Sequence, residues 1–196
     1  MTPADARSAL GEIEQTAAKI RRLIAHGHFA PLLILWGGIW IAGFGCQQFF
    51  PAQAGWAWLV LDLGGFLGSW LVAVRQQSPM KKKGDPRIGL FWVALMVYGV
   101  IWMGLLLSFP DARNPSAEFL AAMTRRTGAY WATVPMFGYV VAGLFLDRFL
   151  AWLGLAVTGL TLLGFVFAGD YFSLWVAITG GGALILSGLF IRKFWR

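Results

Sequence analysis

A carboxylate inside an apolar stretch is the feature of this sequence best suited to chemistry. Asp62 lies in Leu61-Asp62-Leu63-Gly64-Gly65, six residues into a stretch long enough to cross a membrane. A carboxylate at the centre of such a helix costs about 2.5–3.5 kcal/mol on insertion scales, so it normally faces a partner or a water-filled cavity. Two interpretations follow: Asp62 binds a proton, a cation or a cationic substrate, or it stays hydrated or protonated near the membrane surface.

Four further side chains join Asp62 in the predicted site. Trp70 and Trp102 lie deep in apolar stretches, where they either pack between helices or line a cavity. Tyr139 and Thr179 place hydroxyl groups inside later stretches. We therefore predict that a substrate site, if there is one, draws on Asp62, Trp70, Trp102, Tyr139 and Thr179.

The sequence holds no residue set typical of catalysis, metal binding or a cofactor. It has no Ser/His/Asp or Cys/His combination, and Cys46 is the single cysteine, so no disulfide can form within the chain. His26 and His28 are two residues apart and do not face one ligand on a helix. We expect a protein that is not an enzyme and that has no metal site and no cofactor.

Composition decides the class of protein. Of the 196 residues, 58% are hydrophobic and 13% are charged, against roughly 45–50% and 25% in soluble domains. A bilayer core takes about 20 apolar residues as a helix, and none of the apolar stretches alternates as a barrel strand would. Six stretches qualify, at about 31–50, 56–74, 88–109, 130–146, 149–168 and 171–191. We predict an all-α integral membrane protein, with a cytoplasmic amphipathic helix in residues 1–28 and a six-helix transmembrane domain in residues 29–196.

The basic residues predict the orientation. With a cytoplasmic N-terminus, 13 of the 16 Lys and Arg residues lie on the cytoplasmic side, where such residues are enriched. We therefore predict a multi-pass protein of the cell (inner) membrane with both termini cytoplasmic. The first apolar stretch is full length and lacks a small-residue cleavage site, so no cleavable signal peptide is expected.

Residues 2–27 have the pattern of an amphipathic helix. Apolar residues recur at alternating spacings of four and three, at Ala6, Leu10, Ile13, Ala17, Ile20 and Ile24. This spacing is typical of a coiled-coil seam, which predicts a second copy or a protein partner. The same stripe also fits a helix that lies on the lipid headgroups.

Two loops carry further expectations. Lys81, Lys82 and Lys83 attract anionic lipid headgroups at about 1 kcal/mol each, and the absence of interleaved aromatic residues argues against nucleic acid. On the other side of the membrane, residues 110–128 predict a short separate helix that begins near Ser116 and ends at Arg125 and Arg126. That helix either lies flat on the interface or covers a cavity.

A threefold repeat is one reading of the glycine and tryptophan positions. The even-numbered stretches share a Trp, a Gly seven residues later and an Arg ten residues after that: Trp58, Gly65 and Arg75; Trp131, Gly138 and Arg148; Trp175, Gly182 and Arg192. The preceding stretches carry glycine pairs five apart: Gly38 and Gly43, Gly99 and Gly104, Gly159 and Gly164. In this frame Pro135 and Thr179 match Asp62. The alternative is that any helix entering the cytoplasm shows Trp and Arg at these ends.

Two classes of function fit these features. The first is a small-molecule or ion transporter, or a membrane-embedded substrate-binding subunit. The format of about 190 residues, six spans and both ends inside is similar to that of the substrate-binding subunits of vitamin uptake systems. The alternative is a non-catalytic structural or regulatory membrane subunit that docks a cytoplasmic partner through residues 2–27.

Overall fold

A computed structural model describes residues 11–12, 29–75, 86–107, 116–145 and 147–194, and these are helical apart from short turns. Six helical segments follow in chain order: α1 (Ala30–Phe49), α2 (Ala54–Arg75), α3 (Pro86–Leu107), α4 (Ala117–Phe145), α5 (Arg148–Phe167) and α6 (Gly169–Phe194). Apart from Gly11 and Glu12, the amphipathic helix predicted for residues 2–27 lies outside the described residues, as do Lys81, Lys82 and Lys83.

Five of these helices, all except α3, are long and apolar enough to cross a membrane. Helix α3 is 22 residues long and equally apolar in sequence. Its apolar part, Gly89–Leu105, is shorter than that of the other five helices. The chain therefore has the make-up of a multi-pass, all-helical membrane protein. The count of six spans and their orientation stay predictions.

The tight breaks between helices form where the sequence places them. The amide of Phe50 donates to the Cys46 carbonyl at 2.7 Å and closes α1 before the turn to α2. Asp147 caps α5 by accepting a hydrogen bond from the Phe149 amide at 2.8 Å. Gly169, the first residue of α6, adopts φ 51°, a conformation that residues with a β-carbon rarely adopt.

The separate short helix predicted after Ser116 is wrong. The Ser116 hydroxyl caps the helix by accepting from the Phe119 amide at 3.2 Å, but the helix then continues for 29 residues to Phe145. Arg125 and Arg126 do not end it, because basic side chains are good helix formers and no break follows them. The outer segment is thus the first part of α4.

Helices α1, α4, α5 and α6 form the centre of the bundle. Glycines bring their backbones together: a β-carbon on Gly37 of α1 would lie 2.7 Å from the Gly181 carbonyl of α6. Likewise Gly143 of α4 lies directly against the backbone of Ala151 in α5. Such close approach is the usual way in which helices associate in lipid, where burial of apolar surface supplies little driving force.

The core between these four helices is apolar. Its fully buried side chains come from all four helices and include Leu33, Met136, Leu150, Val157, Phe172, Val176 and Leu184. Among the described residues, Thr161 and Ser173 are the polar ones that are buried. The Thr161 hydroxyl donates to the Val157 carbonyl of its own helix at 2.8 Å, so it presents no free donor to the core.

Helices α2 and α3 lie outside this core. Helix α2 packs mainly against α1, and α3 mainly against α4. Only 6% of the 18 most apolar consecutive residues of α2 are buried, against 33–39% in the other four long helices. The surface of α2 away from α1 is therefore free for lipid or for another protein.

In the α1–α2 pair, and again in the α3–α4 pair, a Trp of each helix covers a Gly of the other. The Trp58 ring covers Gly43 and the Trp36 ring covers Gly65, so each helix of the pair inserts an indole into the other. In the α3–α4 pair, Trp131 covers Gly99 and Trp92 covers Gly138 in the same way. We call this arrangement the Trp–Gly clasp.

The α5–α6 pair has half of such a clasp. Trp175 covers Gly164, but Gly182 has no atom within 4 Å of a β-carbon built on it. The threefold repeat of hairpins stays a prediction.

Candidate functional site

The five predicted site residues lie on four different helices, α2, α3, α4 and α6. No hydrogen bond, ion pair or ring contact joins any two of them within the described part of the chain. Tyr139 is 7% exposed and lies in the core, edge-on to Trp92 at 5.3 Å between ring centroids. Trp70 and Trp102 are 59% and 51% exposed, so their rings lie on the outside of the bundle rather than between its helices.

Thr179 lies in a π-helical turn, Ala177–Gly181 of α6. Its hydroxyl donates to the Trp175 carbonyl at 2.8 Å. The glycines beside it are covered by α1, because Gly180 meets the Trp40 ring and Gly181 meets Ile41. The irregular turn therefore serves close packing against α1 at these two positions, although π-turns often mark functional sites.

Asp62 borders the seam between α1 and α2. It follows Trp58 by four residues and precedes Gly65 by three, so it shares their side of the helix. Beyond it, Ser69 accepts a hydrogen bond from Nε1 of Trp36 at 3.1 Å. Asp62 thus lies along α2 between the two indole contacts of the clasp.

The Asp62 carboxylate is half-buried and unpaired. No hydrogen bond or ion pair reaches it from any other described residue. Because an unpaired carboxylate at membrane depth is costly, such residues normally have a partner or bind a proton. No other described residue therefore balances the carboxylate of Asp62.

Sequence reasoning missed a second polar cluster, at the end of α1. Nε1 of Trp58 donates to Oε1 of Gln47 at 3.1 Å, and Nε2 of Gln47 donates to the Ser173 hydroxyl at 3.1 Å. The next residue, Gln48, accepts from the Leu174 amide at 3.3 Å and donates to the Asp170 carbonyl at 3.1 Å. We call Gln47, Gln48, Trp58 and Ser173 the glutamine junction.

The glutamine junction joins three helices rather than presenting a reactive group. Gln47 uses its carbonyl oxygen towards α2 and its amide nitrogen towards α6. Hydrogen bonds between helices in lipid are worth about 0.6–2 kcal/mol each, so the junction stabilises the arrangement of α1, α2 and α6. The signal in the sequence is two adjacent glutamines at the end of an apolar stretch.

The described residues contain no group of three or more His, Cys, Asp or Glu that is able to hold a metal ion. Comparison of the chain with protein-family models, with curated proteins and with solved structures gives no match.

Proposed function

We propose that this protein is a non-catalytic membrane subunit that binds a partner protein within the bilayer through α2. The observation that carries the proposal is Asp62, an unpaired carboxylate on a helix that packs mainly against a single neighbour. The proposal includes six spans, both termini on the cytoplasmic side, and the cell (inner) membrane.

The antiparallel contacts support the six-span topology. In the α1–α2 pair, Gly43 meets Trp58 whereas Trp36 meets Gly65, so the two helices run in opposite directions. The α3–α4 pair runs in the same alternating sense, as do α4 with α5 and α1 with α6. Alternate crossing returns both ends to one side, and the excess of Lys and Arg assigns that side to the cytoplasm.

The surface of α2 is suited to a helix partner. Its side away from α1 presents large apolar residues, each about half exposed or more: Trp56, Leu59, Val60, Leu63, Phe66, Leu67 and Trp70. Asp62 lies at the edge of this surface, where it meets the seam with α1. A partner helix on this surface replaces lipid contacts and shields Asp62 at the same time. Polar groups between helices in lipid contribute to specific association in this way.

The chemistry of Asp62 defines the partner. A carboxylate at membrane depth pairs with Lys, Arg or a hydrogen-bond donor. Within the described helices of this chain, Lys and Arg occupy terminal turns, except for Arg125 and Arg126, which lie at the level of the end of α5. The described helices of a second copy therefore supply no cation at the depth of Asp62, and we assign the surface to a different membrane protein that carries a basic side chain in a span.

Site-specific photo-crosslinking in the native membrane tests this proposal. A benzophenone amino acid is placed at Leu63 or Leu67 of α2, and at Leu155 or Leu162 of α5 as controls, all four being about half exposed or more. We expect a protein adduct of one discrete mass from the α2 positions only, and its loss when Asp62→Leu is added. The same adduct from α5, or an adduct that Asp62→Leu leaves intact, contradicts the proposal. An adduct of twice the chain's mass indicates a second copy and also contradicts it.

A transport or substrate-binding function is the second candidate, and one observation favours it. Asp62 lies between two indole contacts along α2, and carboxylates together with aromatic rings recognise organic cations. A tritiated tetraphenylphosphonium binding assay on the purified protein distinguishes the two functions. Saturable binding that Asp62→Asn abolishes supports the substrate site, whereas binding that is absent or independent of Asp62 removes it. Docking of a cytoplasmic partner through residues 2–27 stays a prediction. It is tested by deleting residues 2–27: the partner is expected to be lost while the membrane domain still folds.

A further inference from the structure

Arg125 is held at the end of the central helices without a hydrogen-bond acceptor. Its guanidinium carbon lies 5.2 Å from the centre of the Phe165 ring of α5. Its Nε is fully buried and has no hydrogen-bond partner, and no ion pair joins Arg125 to another described residue. A buried donor left unpaired costs about 1–3 kcal/mol, and more when it is charged. Because Nε itself is enclosed, an acceptor from outside the described chain reaches the guanidinium at its two terminal nitrogens, which also have no hydrogen-bond partner among the described residues.

The side of α4 that carries Arg125 faces the glutamine junction. Gly128 follows Arg125 by three residues and so lies on the same side of the helix. A β-carbon on Gly128 would lie 3.3 Å from Phe172 and 3.5 Å from Nε2 of Gln47. Arg125 thus lies where the end of α5 meets the start of α6 and the end of α1. The guanidinium carbon lies over the Phe165 ring, and the N–H groups of the guanidinium still require oxygen acceptors.

We propose that Arg125 binds the phosphate group of a phospholipid at this end of the bundle. A guanidinium matches phosphate with two parallel hydrogen bonds, a geometry that lysine cannot reproduce. The ends of apolar spans lie at the headgroup level of the bilayer, where phosphate is the abundant acceptor. Arg126, the next residue, is exposed and turned to another side of α4.

The neighbouring surface fits the rest of a lipid molecule. The last two turns of α5 expose Leu162, Leu163, Val166 and Phe167, which offer an apolar surface to acyl chains. Tyr171, at the start of α6, is also exposed, as is typical of aromatic residues at the membrane interface. This inference is independent of the partner proposed for α2.

Lipid retention by the purified, delipidated protein tests the inference. Palmitoyl-oleoyl phosphatidylglycerol is titrated into the wild-type protein and three variants, Arg125→Gln, Arg125→Lys and Arg126→Gln, and bound lipid is counted by native mass spectrometry. We expect the tightest-binding lipid to be weakened at least tenfold by Arg125→Gln and by a smaller factor by Arg125→Lys, because lysine keeps the charge and loses the two-pronged geometry. Arg126→Gln is expected to bind as the wild type does.

Three results overturn the proposal. Equal retention by all four proteins excludes Arg125 from lipid binding, and equal losses from Arg125→Gln and Arg126→Gln reduce the effect to general surface charge. A parallel titration with inorganic phosphate separates the two sources of the same chemistry. Stabilisation of the wild type by inorganic phosphate that matches the effect of the lipid, and that Arg125→Gln removes, indicates a free-anion site and contradicts the lipid assignment. The Arg125→Lys variant keeps the test valid if Arg125→Gln does not fold.

Discussion

The α1–α2 and α3–α4 pairs use one packing device with different chemistry. In each pair two tryptophans cover two glycines, and an aliphatic side chain, Ile39 or Leu95, fills the space beside the second glycine. The polar groups differ. Trp58 donates to Gln47 in the first pair, whereas in the second pair the Tyr130 hydroxyl donates to the Gly99 carbonyl at 2.9 Å.

The two pairs differ most at the position of Asp62. The two pairs can be aligned so that the tryptophans and glycines of their clasps coincide. In this alignment Pro135 takes the position of Asp62, Met103 that of Gln47 and Ala142 that of Ser69. The α3–α4 clasp therefore forms without a carboxylate, an amide or a hydroxyl at these positions. Packing alone does not require Asp62, and this supports a role for Asp62 outside the fold.

The largest effect is expected from glycines beneath an indole. In Gly43→Ala the new β-carbon would lie 2.6 Å from the Trp58 ring, which the hydrogen bond to Gln47 holds in place. We expect a loss of about 1–3 kcal/mol in stability, measured by thermal unfolding in detergent. Gly38→Ala in the same helix meets nothing within 4 Å and is expected to be neutral or to stabilise by up to about 1 kcal/mol. If Gly43→Ala and Gly38→Ala unfold at the same temperature, the clasp does not stabilise the protein.

A smaller loss is expected when the first pair is given the chemistry of the second. Gln47→Met copies Met103 and removes the hydrogen bonds to Trp58 and Ser173. We expect stability to fall by about 1–2 kcal/mol. The matched control is Gln53→Met, because Gln53 is exposed in the turn between α1 and α2. An unchanged unfolding temperature in Gln47→Met shows that the junction contributes nothing measurable.

Ser69→Ala copies Ala142 and removes one hydrogen bond, the one donated by Trp36. We expect a loss of about 0.6 kcal/mol, the average for single hydrogen bonds between membrane helices. The same unfolding measurement, with Ser187→Ala in α6 as control, checks it. A loss as large as that of Gln47→Met argues against additive hydrogen bonds in the seam.

The smallest effect on stability is expected at Asp62. Asp62→Leu removes an unpaired carboxylate from an apolar span, so the unfolding temperature is expected to stay the same or rise. The photo-crosslinked adduct at Leu63 is nevertheless expected to disappear. Loss of stability in Asp62→Leu, comparable to that of Gly43→Ala, assigns the carboxylate to the fold and contradicts the proposed docking role.

Much of the local structure was predictable from single segments of the chain. About 20 apolar residues in a row predict a helix that crosses the membrane, and Asp147 and Gly169 predict tight breaks because of their capping and backbone preferences. The prediction failed at Arg125 and Arg126, where charge alone was read as the end of a helix. Helix α4 continues because nothing in its backbone opposes it.

The faces of the helices were decided by the tertiary structure. Each predicted glycine pair contains one glycine under an indole and one in open space: Gly43 and Gly38, Gly99 and Gly104, Gly164 and Gly159. Nothing local distinguishes the members of a pair, and the same is true of Trp58, which packs against α1, and Trp70, which faces outwards. Hydropathy is a property of one segment and determines which helices enter the membrane. Which side of each helix is covered depends on its neighbours, so the glutamine junction, the clasps and the unpaired Asp62 emerge only when the helices pack.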